Sequence, residues 1–154
     1  MNMNIRLHYL SLLHSSFTRN LGFVPTHRAI GRELEEWVLF RKYWDEGEDI
    51  DSLAAGIGVP RDEVTIFIRG WIGERFLTMR KRLRVHDAGE LLLSRPEMSL
   101  AEIARTVGFQ DKSDFRRAFI DEKGMSPRLW RECKGSRILY MIRMIREAGK
   151  SRCP

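Results

Sequence analysis

The chain has 154 residues, 43% of them apolar, with five prolines and two cysteines, which suits one domain or two small lobes and excludes wholesale disorder. No stretch approaches the ~20 consecutive apolar residues that span a bilayer, and Cys133 and Cys153 lack CxxC spacing, as in a reducing cytosol rather than a disulfide framework. The net charge of +6 is uneven: residues 33–51 hold eight acids and two bases, residues 52–154 hold 21 bases and 13 acids, and such a confined basic excess is an electrostatic footprint for polyanions.

The first apolar stretch, IRLHYLSLLHSSF, has one charge near its start, Arg6, histidines within it and no small-residue cleavage site. It therefore belongs to the fold and is not a signal peptide. Residues 1–35 read as an N-terminal extension. The run RAIGRELEEWVLFRKYW then places Ile30, Leu34, Trp37, Val38 and Trp44 at helical spacings, interrupted on that stripe only by Arg41, and Gly47 ends it. A second long helical pattern from about Gly73 to Leu93 carries Phe76, Met79, Leu83, Val85, Leu91 and Leu92, and Ser94-Arg95-Pro96 closes it. No alternating strand pattern of useful length occurs, so the fold class is all-α.

The segments on either side of the long helix are related. DIDSLAAGIGV (49–59) lies over SLAEIARTVGF (99–109) at an offset of 50: Asp49 meets Ser99, Leu53 meets Ile103, Ala54 meets Ala104, and Gly58 meets Gly108. After one extra residue in the second copy, Val64 meets Phe115, Ile68 meets Phe119 and Gly73 meets Gly124. This is a duplicated unit. In each copy an N-cap opens a short helix, with Ser99 and Glu102 forming a capping box in the second. A small alanine then allows a close crossing, a glycine supplies a left-handed turn, and a second helix follows. Such a helix-turn-helix can present its second helix to a major groove.

The stretch SLAEIARTVGFQDKSDFRRAFIDEKGMSPRLWR, with Gly108, Phe109, Ser113, Phe115, Arg117, Phe119, Gly124, Ser126, Pro127 and Arg131 in characteristic spacing, resembles the DNA-binding domain of the AraC/XylS family of bacterial transcription regulators. The first unit matches more loosely, and Arg84 followed by Ala88 fits the family's linker-helix pattern. The resemblance covers roughly residues 36–133. It implies lobe one at about 36–73, a linker helix at about 74–94 and lobe two at about 95–133, followed by a C-terminal amphipathic helix and tail over 134–154. Both recognition helices would enter successive major grooves on one face of double-stranded DNA. A linker of about 18 residues spans ~27 Å, comparable with the ~34 Å between adjacent major grooves.

In the second recognition helix Phe115 and Phe119 point inward, which leaves Lys112, Ser113, Asp114, Arg116 and Arg117 on the exposed side. Lys112 and Arg117 suit guanine O6 and N7. Ser113 and Asp114 read a base edge or cap the helix, and Arg117 alternatively braces the fold. The first recognition helix exposes Arg61, Asp62, Glu63, Thr65, Ile66 and Arg69. Two acids there cost affinity for phosphate unless they accept from cytosine N4, so this lobe is expected to position the protein through Arg61, Arg69 and the linker's Arg80, Lys81 and Arg82. Trp37, Trp44, Trp71, Trp130, Phe76 and Phe109 fall on packing positions.

His8, His14, His27 and His86 show no metal-ligand spacing, and no nucleophile motif, acid–base pair or phosphate loop is present. Catalytic residues, metal sites and cofactors are therefore not expected. The C-terminal SRILYMIRMIREAGK is amphipathic, with Ile138, Leu139, Met141, Ile142 and Ile145 apolar, and would dock on lobe two or pair with a partner helix. The expected protein is a cytoplasmic, sequence-specific regulator without a separate sensor domain, acting as a monomer or weak dimer. Activation would require a contact with RNA polymerase. The alternative is a protein-interaction module of the same fold that has lost DNA reading, supported by Asp62, Glu63 and Asp114.

Overall fold

The computed structural model of the chain describes residues 4–18 and 25–150. In order, the helices are α1 (Ile5–Thr18), α2 (Pro25–Leu39), α3 (Ile50–Ile57), α4 (Arg61–Trp71), α5 (Phe76–Ser94), α6 (Leu100–Thr106), α7 (Lys112–Lys123) and α8 (Pro127–Lys150), with a 3₁₀ turn at Lys42–Trp44. There is no strand among the described residues.

Two separate cores share α5. Phe76, Met79 and Leu83 on its first half join Val64, Phe67 and Ile68 of α4 and Leu53 and Ala54 of α3. Val85, Ala88 and Leu92 on its second half join Ile103 and Ala104 of α6 and Phe115, Ala118 and Phe119 of α7. The linker helix therefore changes partners between Leu83 and Val85, which is why its apolar residues follow no single stripe. Trp44 packs against both cores.

The long pattern before Gly47 is not one helix. It breaks after Leu39, where Arg41 adopts a left-handed backbone (φ 54°) and the 3₁₀ turn follows. That break swings Arg41, Tyr43 and Trp44 onto Asp87 of α5, whose Oδ2 accepts from Arg41 Nε at 3.2 Å, Tyr43 Oη at 2.6 Å and Trp44 Nε1 at 2.9 Å. Three directed hydrogen bonds to a buried carboxylate outweigh the propensity of the segment to stay helical. Burial and the bond to Asp87 together push the Tyr43 hydroxyl well above the ordinary tyrosine range.

The N-terminal segment contributes to lobe one itself. Tyr9 and Leu13 of α1 and Ile30, Leu34, Trp37 and Val38 of α2 are all buried in the first core, so the boundary drawn at residue 36 falls inside α2. The caps are formed as the pattern indicates: Asp49 accepts from the Ser52 N–H at 2.8 Å. The Ser99 N–H donates to Glu102 at 2.7 Å, and the Glu102 N–H returns to Ser99 Oγ at 3.2 Å. Helix α8 is fastened at its start by Trp130 Nε1 on Gly89 O (3.2 Å) and Arg131 on the carbonyls of Leu92 and Met98. Farther along, Met141 and Ile145 are 60% and 69% exposed, so these two side chains do not dock as expected; those of Ile138, Leu139 and Ile142 lie outside the described residues, as does Cys153.

Candidate nucleic-acid interface

Helix α7 owes its start to a residue outside the expected set. Asp111 is the N-cap, accepting from the Ser113 N–H at 2.5 Å and the Asp114 N–H at 3.1 Å, so neither Ser113 nor Asp114 caps the helix. Those backbone donors hold the Asp111 carboxyl below its ordinary range. An aspartate just ahead of a helical run is itself the sequence signal. With the cap fixed, burial of Phe115, Ala118 and Phe119 turns one face inward and leaves Lys112, Ser113, Asp114, Arg116 and Arg117 exposed together. At the far end Gly124 takes a left-handed conformation and terminates α7.

These five side chains are not equivalent. Arg117 is paired with Asp114 one turn back. Lys112 and Arg116 make no hydrogen bond or ion pair among the described residues, and both border an apolar depression floored by Leu100, Phe115 and Pro127. Two unneutralised cations on a rigid helix face are what a polyanion requires.

In lobe one, Arg61, Thr65 and Arg69 of α4 and Arg80 of α5 line one groove of about 400 Å³. Arg75, the residue before α5, also lines it and was not among the expected contacts; its isolation between two helical runs gave no signal. The groove is not uniformly basic. Glu46, Asp49 and Asp51 form part of its wall, and Arg61 is paired with Asp51 at 3.5 Å. Thr65 Oγ1 donates to the Arg61 carbonyl at 3.2 Å. Arg80 lies 5.7 Å from the Phe76 ring, and its Nη1 is buried without a hydrogen-bond partner. Ile66 is 62% exposed on α4, and Asp62 and Glu63 stand on the first turn.

The three linker cations separate. Arg80 joins the groove, Lys81 is half-buried, and Arg82 faces another way. Its guanidinium is shared by Glu74 and Glu122 and reaches the Tyr9 hydroxyl. Lobe two connects to the acidic wall through Gln110, whose Nε2 donates to Glu46 at 2.9 Å. Gln110 was also outside the expected set.

His86, Asp87 and Glu90 bring ligand-type atoms within 4.8 Å of one another. Asp87 accepts its three hydrogen bonds on Oδ2, which attaches α5 to the turn before α3, while its Oδ1 is buried without a hydrogen-bond partner. No helix among the described residues is long and apolar enough to cross a membrane. The expected packing aromatics do pack: Trp37 and Phe76 are buried, and Trp44, Trp71, Phe109 and Trp130 are half-buried against the two cores.

Residues 53–132 match a family described as "Helix-turn-helix domain". The chain is 34% identical over 83 residues to the arabinose operon regulatory protein of Escherichia coli, an alignment that takes in 54% of this chain and 28% of that protein. The chain thus spans little more than a quarter of that curated relative. Among solved structures, the C-terminal domain of AraT, a response regulator from Geobacillus stearothermophilus, superposes with a TM-score of 0.59 at 26% identity, over 73% of this chain and 88% of that one. The C-terminal domain of the two-component response regulator yesN from Fusobacterium nucleatum superposes with a TM-score of 0.58 at 25% identity, over 65% and 96%.

Proposed function

We propose, from the premise that this chain belongs to the AraC/XylS family of helix-turn-helix regulators, that it binds double-stranded DNA in a sequence-specific manner and regulates transcription. That family consists of regulators and not enzymes. Helix α7 reads bases in one major groove through Lys112 and Arg116, with Ser113, Asp114 and Arg117 beside them. Helix α4 lies in the next groove. There Arg61, Thr65 and Arg69, with Arg80 and Lys81 of α5, serve the phosphates more than the bases, because the acids of lobe one limit close base contact. Arg82, committed to two carboxylates, is left out of this set. At 19 residues α5 spans about 28 Å, close to the ~34 Å between successive major grooves.

The carrying observation is the unpaired Lys112 and Arg116 on a capped helix whose opposite face is buried. An arginine or lysine on guanine O6 and N7 is the commonest base-specific contact, and loss of one relaxes specificity at that position. The test is selection from a random duplex pool by the wild type, Lys112→Ala and Arg116→Ala proteins in parallel. A defined motif that each variant blurs at a different position supports the reading. No enrichment at low salt sinks it.

A second reading, a protein-interaction module, is favoured by Asp62 and Glu63 on the α4 face and by the Asp51–Arg61 pair. Salt separates the two: log affinity for DNA falls with log salt by ~0.9 per phosphate neutralised, whereas a protein partner imposes no such slope. A regulator with two reading helices in one chain acts as a monomer or weak dimer in the cytoplasm. If it activates, it also contacts RNA polymerase. No sensor role is assigned to α1 and α2, whose buried faces are used up in the core of lobe one.

A further inference from the structure

The two lobes are tied together on two sides of α5. On one side Arg84 bonds the carbonyls of Tyr43 and Gly108. Arg82 stands about 200° away around the helix and is held by a carboxylate from each lobe. Glu74 comes from the loop after α4. Glu122 comes from α7, its Oε2 3.2 Å from Arg82 Nε. Tyr9 of α1 completes the set: its hydroxyl donates to Glu74 Oε2 at 2.7 Å and accepts from Arg82 Nη1 at 3.4 Å. The three charged side chains are 23–30% exposed and Tyr9 is 1% exposed. That is too enclosed for the freely rotating pairs of an open surface, which contribute little. Tyr9 lies outside the residues, 53–132, that match the family.

We propose that the Tyr9–Glu74–Arg82–Glu122 set is a spacing gauge: it fixes the angle between α4 and α7, so that the protein selects DNA by the number of base pairs between two half-sites as well as by their sequence. The inference rests on the reading that both lobes engage DNA. Adding one base pair between half-sites moves the second by ~3.4 Å and rotates it by ~34°. A rigid pair of lobes must then give up contacts in one groove or distort the duplex. A loosely joined pair can follow the change.

The experiment uses the full chain and three duplexes: the selected site, the same site with one base pair added between its halves, and the same site with one removed. The quantity read is the ratio of affinity for the native spacing to affinity for each altered spacing. Wild type is expected to favour the native spacing by about tenfold or more, the scale of one lost base contact. Glu122→Ala removes only the set's contact with lobe two, and Arg82→Ala removes every contact of the set except the Tyr9–Glu74 hydrogen bond; each is expected to lower that ratio by roughly threefold or more on the same scale. Simple loss of stability lowers binding to all three duplexes alike and leaves the ratio unmoved. Ratios equal to wild type in both variants overturn the gauge, and a wild-type ratio in Tyr9→Phe removes α1 from it. A wild type that selects a single half-site also overturns the gauge while leaving DNA reading by lobe two intact. A wild type that selects nothing overturns both.

Discussion

The Arg84 guanidinium donates to the Gly108 carbonyl at 2.9 Å, joining the linker helix to the turn of the second helix-turn-helix. Gly108 sits there with φ at +99°, and a Cβ would lie 2.3 Å from the Trp44 carbonyl and 2.8 Å from Arg84 Cζ. Backbone cannot yield as a side-chain tip can. Gly58, its counterpart in lobe one, has φ at +78° and open space around it. Gly108→Ala is therefore expected to cost about 2–4 kcal/mol and Gly58→Ala only about 1 kcal/mol. Urea denaturation of the two variants measures the difference; equal losses would mean that the turn alone, not the close approach, demands glycine.

Asp87 makes the matching attachment to lobe one. Its buried Oδ2 is the common acceptor for Tyr43, Trp44 and Arg41. Removing it leaves the Tyr43 hydroxyl buried without a partner and releases the left-handed Arg41. Asp87→Ala should cost about 2–4 kcal/mol in thermal or urea unfolding, and Tyr43→Phe less, since it removes a donor and its burial cost together. The reverse order would place the strain elsewhere.

What the sequence makes legible here follows from which interactions are local. Caps, turn glycines and inward positions four apart are set within a dozen residues, so Asp49, Ser99, Gly58, Gly108, Phe115 and Phe119 stand as the pattern indicates. The break after Leu39 was not legible. It depends on Asp87, more than 40 residues away, receiving Tyr43 and Trp44. Arg82 is the same case: as one of three consecutive cations it looks like a phosphate contact, and only the fold brings Glu74, Glu122 and Tyr9 to it. The Asp111 cap is local as well, since an aspartate directly before a helical run is a start signal.

Among the exposed residues of α7, the pairing of Arg117 with Asp114 predicts an order of effects. Lys112→Ala and Arg116→Ala should each weaken binding to the selected site by roughly tenfold, as expected for a base contact. Arg117→Ala should do less, because its charge is already offset by Asp114. Asp114→Asn should tighten binding and steepen the salt dependence by releasing Arg117. Titrations of labelled duplex at several salt concentrations test all four. If Arg117→Ala proves the most damaging, the ion pair opens on DNA and Arg117 is the reader.

Acid should destabilise the protein in two stages. Burial holds His86 below the ordinary histidine value of 6.5, with Lys123 and Arg6 adding to the depression and Glu90 and Asp87 opposing it. A histidine whose folded pKa lies below its unfolded one binds a proton more readily in the unfolded chain. Stability therefore falls as pH drops through 6.5 towards the folded pKa. Asp49, Asp111 and Glu102 are the opposite chemical type with the same sense, since backbone N–H donors hold each carboxyl below its ordinary value. Their contribution is complete above the ordinary carboxyl range and is lost only as pH falls below about 4. Melting temperature should thus decline as pH falls through the ordinary histidine value of 6.5, level off once His86 is protonated in the folded chain as well, and decline again in stronger acid. His86→Gln should flatten the first decline and leave the second; Asp111→Asn should weaken the second and leave the first. A first decline that survives in His86→Gln would assign it to a different group.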